Sequence, residues 1–184
     1  MKIPFKITSI LLALFLILSC TKDIDIDQLD DIEINPTYLI TLVYFKLYAP
    51  DFLDSVNTEV PIQVDIVRAS MSDIPQEYLK KIEFNIVTTN TFNRDFNAKI
   101  VFIDANQKPI YELTPILIPT NSIELETIIE IPAEDFHFIF DTEYFAFFLQ
   151  LLPSNDGSTI SPTDGDSYVE FKSFVQIFLK YSDI

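Results

Sequence analysis

The body of the chain alternates between apolar and polar residues with a period of two, which is the pattern of half-buried β-strands. Two segments, residues 38–48 and 144–152, are apolar on both faces and predict central strands that are covered on both sides. The alternation predicts about eight strands in all, the others lying near residues 60–66, 82–86, 96–102, 109–113, 123–131 and 169–179.

The strand near residues 60–66 illustrates how the pattern assigns faces. Ile62, Val64 and Ile66 alternate with Gln63 and Asp65. We therefore expect a half-buried strand whose apolar side chains point into the core and whose polar side chains point into water.

Two short segments carry helical signals instead. Residues 72–81 offer a Ser-Asp cap, an early proline and two late lysines, and residues 132–140 begin with proline and acidic residues. Neither is long enough to form the crossover helices of an α/β fold. The sequence predicts an all-β domain, a single antiparallel β-sandwich, immunoglobulin-like or similar, with two short helices. A closed up-and-down barrel is the alternative.

The chain contains only two glycines, Gly157 and Gly165. Tight turns that need a positive φ angle favour glycine, asparagine and aspartate. We therefore expect Asn and Asp to supply most of these turns.

The amino terminus has the features of a secretory signal. Lys2 and Lys6 precede an apolar run at residues 10–18, which is too short to cross about 30 Å of hydrocarbon as a helix. The sequence Ile-Leu-Ser-Cys at residues 17–20 resembles a bacterial lipobox. The resemblance implies that residues 1–19 are a lipoprotein signal peptide and that Cys20, the sole cysteine, is lipidated and becomes the first residue of the mature chain.

The residues that follow Cys20 form an acidic tether, residues 20–37, before a β-sandwich domain at residues 38–184. Lys22, Asp23 and Asp25 resemble the surface-export signal of Bacteroidota-type lipoproteins. This resemblance implies an outer-membrane, lipid-anchored protein displayed on the cell surface, with the periplasmic leaflet as the alternative.

Charge excludes some partners. Without residues 1–19 the chain keeps ten basic and 28 acidic residues, a formal net charge near −18. Nucleic acid and anionic lipid headgroups would be repelled by such a chain. The 48% of hydrophobic residues argues for a packed core.

The sequence contains few residues that could form a catalytic or metal-binding site. His137 is the sole histidine, no Gly-x-Ser-x-Gly motif occurs, and one histidine with one cysteine cannot supply four zinc ligands. The carboxylates at 134, 135, 141 and 143 form a cluster that 28 acidic residues produce by chance. We therefore predict no catalytic residues, no cofactor and no enzymatic activity.

A loop rich in oxygen ligands is the weak exception. Asp156, Asp164 and Asp166 lie with both glycines in residues 154–167, but without the spacing of an EF-hand. We expect a solvated loop rather than a metal site, and keep these three aspartates as weak calcium candidates.

Three further motifs carry resemblances. Asp54-Ser55-Val56 resembles an acceptor motif for O-glycosylation in exported Bacteroidota-type proteins, which implies possible modification of Ser55. Residues 89–96 and 152–158, with the tether at 21–36, resemble a group of uncharacterised flavobacterial-type lipoproteins of the outer membrane or cell surface. That resemblance implies a β-sandwich in the envelope and carries over no active residue.

Two functions fit these features. The first is a non-catalytic interaction module that docks an edge strand or a sandwich face onto another envelope protein or a polymer. The alternative is a carrier of a small apolar ligand or lipid, because aromatic residues are dense at 136–140 and 144–152.

Overall fold

The computed structural model describes residues 34–71, 74–154 and 156–181. Residues 35 to 180 form one compact unit, Asn35–Lys180. The predicted signal peptide, Cys20 and the export residues Lys22, Asp23 and Asp25 lie outside the described residues, so the lipid anchor stays a prediction.

Nine strands, all paired antiparallel, form two sheets within the described residues. The four-stranded sheet has the order β1-β9-β3-β7, and the five-stranded sheet has the order β2-β8-β4-β5 with β6 also paired to β4. The strands are β1 (Thr37–Tyr48), β2 (Ile62–Arg68), β3 (Leu79–Asn90), β4 (Phe96–Ile103), β5 (Pro109–Glu112), β6 (Ile116–Ile118), β7 (Ser122–Glu130), β8 (Tyr144–Leu151) and β9 (Tyr168–Leu179).

The strand pairs are nested. The first strand pairs with the last, β2 with β8, β3 with β7, and β4 with β5 and β6. A long antiparallel ribbon that is rolled up gives this pairing, which is the jelly-roll arrangement. The predicted β-sandwich is confirmed, and its strand order is that of a jelly roll rather than an immunoglobulin domain.

Aromatic rings from both sheets fill the space between them. Phe84 of β3 packs on Phe102 of β4 and Phe145 of β8, with ring centroids 5.3 and 6.0 Å away. Phe147 of β8 lies 6.0 Å from Phe171 of β9. These rings are almost fully buried, and each contact joins one sheet to the other. The core therefore holds the sandwich together by apolar burial.

The position of strand β1 contradicts one prediction. Residues 38–48 were expected to form a central strand, but β1 is the outermost strand of its sheet and pairs with β9. Its residues Leu39 and Tyr44 are exposed. The prediction for residues 144–152 is confirmed in position, because β8 lies between β2 and β4.

One of the two predicted helices is present. A 3-10 turn at Ala133–Asp135 leads into helix α1 (Phe136–Phe140). The helix expected near residues 72–81 is wrong, since only Gln76–Tyr78 forms a 3-10 turn before β3 begins. Lys81 lies in β3, where its ammonium pairs with Glu83 at 2.6 Å and with Glu130 of β7 at 3.2 Å. Cross-strand pairing overrides the local helical signal there.

Because glycine is scarce, residues other than glycine adopt positive φ angles in several turns. Asn57 and Asn121 adopt φ angles of 60° and 52°, as expected, and Gln107 does so as well with a φ of 63°. Aspartates act differently from the prediction. Asp104 keeps an ordinary φ angle and instead accepts hydrogen bonds from the backbone N–H groups of Asn106 and Lys108, at 2.9 and 2.8 Å. These bonds stabilise the turn that joins β4 to β5.

Ser173 is an exception in the core. Its side chain points inward from β9, level with Val43 and Ile86 on the neighbouring strands. The hydroxyl is buried and has no hydrogen-bond partner among the residues that the structure describes. A desolvated hydroxyl without a partner destabilises the folded state.

We predict that Ser173→Ala raises the free energy of unfolding by about 1 kcal/mol, because it removes that desolvated hydroxyl. Thr142→Val is the matched control, since the buried Thr142 hydroxyl donates to the Phe138 carbonyl at 2.6 Å. The Thr142→Val control should lower the free energy of unfolding by about 1 kcal/mol, because it removes this hydrogen bond. Urea unfolding followed by far-UV circular dichroism measures both. Equal destabilisation by both variants would contradict the prediction.

Candidate functional site

Strand β2 turns its apolar side chains away from the core. Ile62, Val64 and Ile66 are 48%, 51% and 59% exposed. Gln63 instead lies beside Leu149, which is buried between the sheets. The expectation that the apolar side of this strand packs into the core is therefore wrong. A period of two shows that a strand has two kinds of face, but it does not show which face meets the core.

The strand register continues this apolar surface across the sheet. Val64 lies opposite Phe148 of β8, and Ile66 lies opposite Ala146, which in turn faces Val101 of β4. We call the outer surface of the five-stranded sheet the apolar face. Its exposed and half-buried apolar members are Ile62, Val64, Ile66, Ile103, Leu117, Tyr144 and Phe148.

Strand β8 contains a signal for this surface. Its residues are apolar on both faces, a pattern that predicts cover on both sides. The inner side chains Phe145, Phe147 and Leu149 are covered by the opposite sheet. Tyr144 and Phe148 point outward, and the described part of the chain leaves both of them only half-buried. Both faces of β8 are therefore apolar, as the sequence indicates. The described residues cover the inner face fully and the outer face only in part.

A shallow notch opens at one corner of the apolar face. It has a volume of about 380 Å³ and is lined by Ile66, Ile103, Gln107 and Tyr144. The residues come from three strands and from the turn between β4 and β5. An apolar side chain from a docking partner has the chemistry to fill it.

Charges on this face are balanced. The Arg68 guanidinium lies 2.5 Å from the Glu143 carboxylate, and the Lys99 ammonium lies 2.6 Å from the Glu112 carboxylate. The hydrogen bond to Glu143 raises the pKa of Arg68. Lys99 lies beside Phe148 in the strand register, so its pair belongs to the middle of the face, whereas the Arg68–Glu143 pair lies at one end. These two cations and two anions compensate each other, although the whole chain has a formal charge of −16.

A second opening lies between the sheets, where the edge strands β1 and β2 face each other. This inter-sheet slot has a volume of about 230 Å³. Its lining residues are Phe45, Leu47, Gln63, Val64, Asp65, Phe147 and Leu149. Asp65 lies on the slot side of β2, and an inward-pointing charge on an edge strand discourages another strand from pairing there.

The segments 89–96 and 152–158, singled out by the sequence, meet at one end of the sandwich. Arg94 donates from Nε and Nη2 to the Leu152 carbonyl, at 3.0 and 2.6 Å. Its Nη1 lies 2.5 Å from the Glu59 carboxylate, which also accepts the Ile160 N–H at 2.7 Å. The Arg94 side chain is only 9% exposed. All three donor nitrogens have protein acceptors, so this arginine acts as a structural clamp between loops.

The weak calcium candidates do not form a cluster. Asp156 accepts the Ser158 N–H at 2.9 Å, and Asp164 accepts the N–H groups of Asp166 and Ser167 at 3.1 and 3.0 Å. Hydrogen bonds from Ser158 and Ser167 lower the pKa of Asp156 and of Asp164, respectively. Across residues 34–71, 74–154 and 156–181, no group of three or more potential metal ligands occurs.

Ser55 lies in an exposed turn between β1 and β2. The neighbouring Asp54 carboxylate accepts the N–H groups of Val56 and Thr58, at 2.9 and 2.8 Å, and so holds the turn. The hydroxyl is accessible, as O-glycosylation requires, and the modification itself stays a prediction.

Two of the four carboxylates near α1 have separate partners. Asp135 accepts a hydrogen bond from the Tyr111 hydroxyl at 2.9 Å, whereas Glu143 pairs with Arg68. Burial, followed by the hydrogen bond to Asp135, raises the pKa of Tyr111 to about 12. His137 contacts the Glu134 carbonyl of its own turn, with Nδ1 at 2.9 Å. This arrangement does not place the histidine beside a nucleophile.

No family model matches the sequence, and no curated protein matches it significantly. A crystal structure of a Parabacteroides distasonis protein that is inferred to be secreted overlaps 62% of this chain and 36% of its own, with 16% identity and a TM-score of 0.46. The VP2 subviral particle of infectious bursal disease virus overlaps 79% of this chain and 32% of its own, with 12% identity and a TM-score of 0.43.

The enzymatically active domain of bacteriophage CBA120 tailspike protein 4 overlaps 82% of this chain and 20% of its own, with 10% identity and a TM-score of 0.38. The chain thus spans about a third or less of these structures. The fold assignment rests on the strand order of this chain itself. Among its described residues, no helix is long and apolar enough to cross a membrane.

We predict that Arg94→Ala lowers the free energy of unfolding by roughly 3 kcal/mol, because the substitution leaves Glu59 and the Leu152 carbonyl without their partner. Arg68→Ala is the matched control. Its side chain is 74% exposed, so loss of the pair with Glu143 should cost at most about 1 kcal/mol. Urea unfolding measures the difference, and equal costs for the two arginines would refute the clamp.

Proposed function

We propose that this protein is a non-catalytic interaction module of the cell envelope. It is anchored to the outer membrane through Cys20 and docks onto an envelope protein or polymer through the apolar face. The observation that carries the proposal is the outward orientation of Ile62, Val64 and Ile66 beside Phe148.

Burial of this face would stabilise a complex. Each square ångström of apolar surface removed from water contributes about 25 cal/mol, and contiguous exposed apolar patches mark interaction sites. The Arg68–Glu143 pair adds a polar margin at one end of this face, and the Lys99–Glu112 pair lies within the face beside Phe148. Protein interfaces usually combine apolar side chains with such paired polar groups.

The acidic tether determines how far the apolar face can lie from the membrane. Ile34 pairs with Tyr181 at the end of the domain, so the tether is at most the 14 residues from 20 to 33. They span at most about 50 Å when extended, so the sandwich can stand clear of the lipid surface. The acidic chain avoids anionic headgroups. Lys22, Asp23 and Asp25 favour surface display over the periplasmic leaflet, and the accessible Ser55 adds a candidate glycosylation site.

The proposal includes no enzymatic turnover. The carboxylates of Asp135 and Glu143 are occupied by Tyr111 and Arg68, and His137 is held by its own helical turn. General acid–base catalysis needs a titratable group directed at a reacting atom. These contacts favour structural roles for the titratable groups near α1.

A carrier of an apolar ligand is the second candidate, because the inter-sheet slot has a floor that includes Phe147 and Leu149. Its volume of about 230 Å³ is smaller than the roughly 300 Å³ at which ligand pockets begin. Gln63 and Asp65 also line it, and Asp65 would repel an acyl chain. The apolar face therefore fits the interaction module better.

We predict that a photo-cross-linking residue at Val64 forms covalent adducts in intact cells, whereas the same residue at Ile128 does not. Ile128 is the matched control, because it is 60% exposed on the outer side of the edge strand β7. Replacing Ile62 and Ile66 with threonine in the Val64 variant removes about 1 kcal/mol of apolar burial at each site, so its adducts should fall at least tenfold.

Adducts of equal yield at 64 and 128 would contradict docking through the apolar face. Native mass spectrometry of the purified protein provides the test against the alternative. A lipid bound in one-to-one ratio would favour the carrier, and unliganded protein would favour the module.

We predict that Cys20→Ala abolishes labelling of the protein by radioactive palmitate and leaves a longer precursor, because cleavage follows lipidation. Two or more acyl chains give durable anchoring, so loss of the label should accompany loss from the outer-membrane fraction. Ser55→Ala is the control and should retain the label. An unchanged label in Cys20→Ala would mean that the acyl chains are elsewhere.

A further inference from the structure

A chain with a formal charge of −16 meets a difficulty when two copies approach, since like charges repel. The outer side of the four-stranded sheet illustrates this repulsion. Strand β7 places Glu124, Glu126 and Glu130 around the exposed Ile128. Three lysines, Lys46, Lys81 and Lys172, lie on this side with these three glutamates and with Glu83 and Glu170. The surface therefore keeps an excess of two negative charges. Two copies that meet through this surface repel each other.

The apolar face lacks this repulsion. Its cations Arg68 and Lys99 are each paired with an anion of the same chain, so the surface has no net charge. Its centre holds the aromatic Phe148 and the small, buried Ala146. Another copy of this chain can approach here without bringing uncompensated charges together.

Edge-to-edge association is disfavoured in contrast. On β2, Asp65 lies on the side that faces the inter-sheet slot. On β1, the register shifts between Thr41 and Val43, which marks a bulge. Inward charges and bulges both discourage pairing between exposed edges. The opposite edges are protected differently, because β5 and β6 are only four and three residues long and β7 carries three glutamates. Association through a sheet face is the route that these features leave open.

We propose that the apolar face binds the same face of a second copy, to form a two-fold symmetric dimer with the two five-stranded sheets packed against each other. The inference rests on the proposed function and names the partner. Stacked sheets lie about 10 Å apart, and a closed two-fold contact uses the same surface on both copies. The notch beside Ile103 would receive an apolar side chain of the second copy.

The size of the face determines the strength of the dimer. Four strands spaced about 4.8 Å apart and about seven residues long project an area near 400 Å². A standard interface buries about 800 Å² on each partner, so a weak dimer is expected. Anchoring both copies in one membrane raises their effective concentration and favours the contact.

The test uses the full chain in its own membrane, with single substitutions Val64→Cys, Leu117→Cys or Ile128→Cys and a bismaleimide whose spacer is about 10 Å, the spacing of stacked sheets. Val64 and Leu117 lie on opposite edges of the apolar face. A two-fold axis across the strands gives 64–64 and 117–117 cross-links, and an axis along the strands gives a 64–117 cross-link when the two variants are co-expressed.

We expect covalent dimers of twice the monomer mass from one of these two patterns, at least tenfold above the yields of Ile128→Cys and of the unsubstituted chain, whose only cysteine is Cys20. Raising the salt to about 0.5 M should increase the yield, because it screens the repulsion between acidic copies. A monofunctional maleimide confirms that each thiol reacts, and an unchanged thermal unfolding midpoint confirms the fold.

Absence of both patterns, with all thiols reactive, overturns the dimer. If photo-cross-links at position 64 then join this chain to other proteins, the proposed docking function survives and only the second copy is refuted. If position 64 forms no adducts by either method, both are refuted.

Discussion

The pairing of β1 with β9 is the constraint on which the sandwich depends. It joins the start of the domain to its end, and β9 also pairs with β3 at the centre of the four-stranded sheet. The β2–β8 and β3–β7 pairs nest inside this one, so these three closures are all long in sequence, whereas only the innermost β4–β5 pair is closed by a short turn. Folds dominated by such distant contacts form slowly, because chain entropy is lost before the contacts stabilise the structure.

Aromatic burial compensates for the absence of disulfides. One cysteine cannot form an intrachain bridge, and the described core joins the sheets through rings such as Phe84, Phe102 and Phe171. At the end of the sandwich, Arg94 ties three loops with charge-assisted hydrogen bonds.

The apolar face and the acidic surface have complementary physical roles. We expect the net negative charge to keep copies of the chain apart and to repel nucleic acid and anionic lipid. Paired charges beside Phe148 leave one region where this repulsion is weakened. Selectivity for a partner can therefore arise from a local loss of repulsion together with apolar contact.

The order of apolar and polar residues along the chain determined by itself where most of the strands lie. The alternating and doubly apolar segments located eight of the nine described strands and missed the three-residue β6, and the double apolar character of residues 144–152 indicated a central strand. The same character misled for residues 38–48, because an exposed apolar side chain and a buried one look identical in a sequence. The helical signal at residues 72–81 failed for a related reason, since Lys81 lies in β3 and pairs there with Glu130 of the neighbouring strand β7 as well as with Glu83 of its own strand. Only the tertiary structure decided that Ile62, Val64 and Ile66 face outward. A strand has two faces, and which of them meets the core depends on the neighbours that the topology supplies.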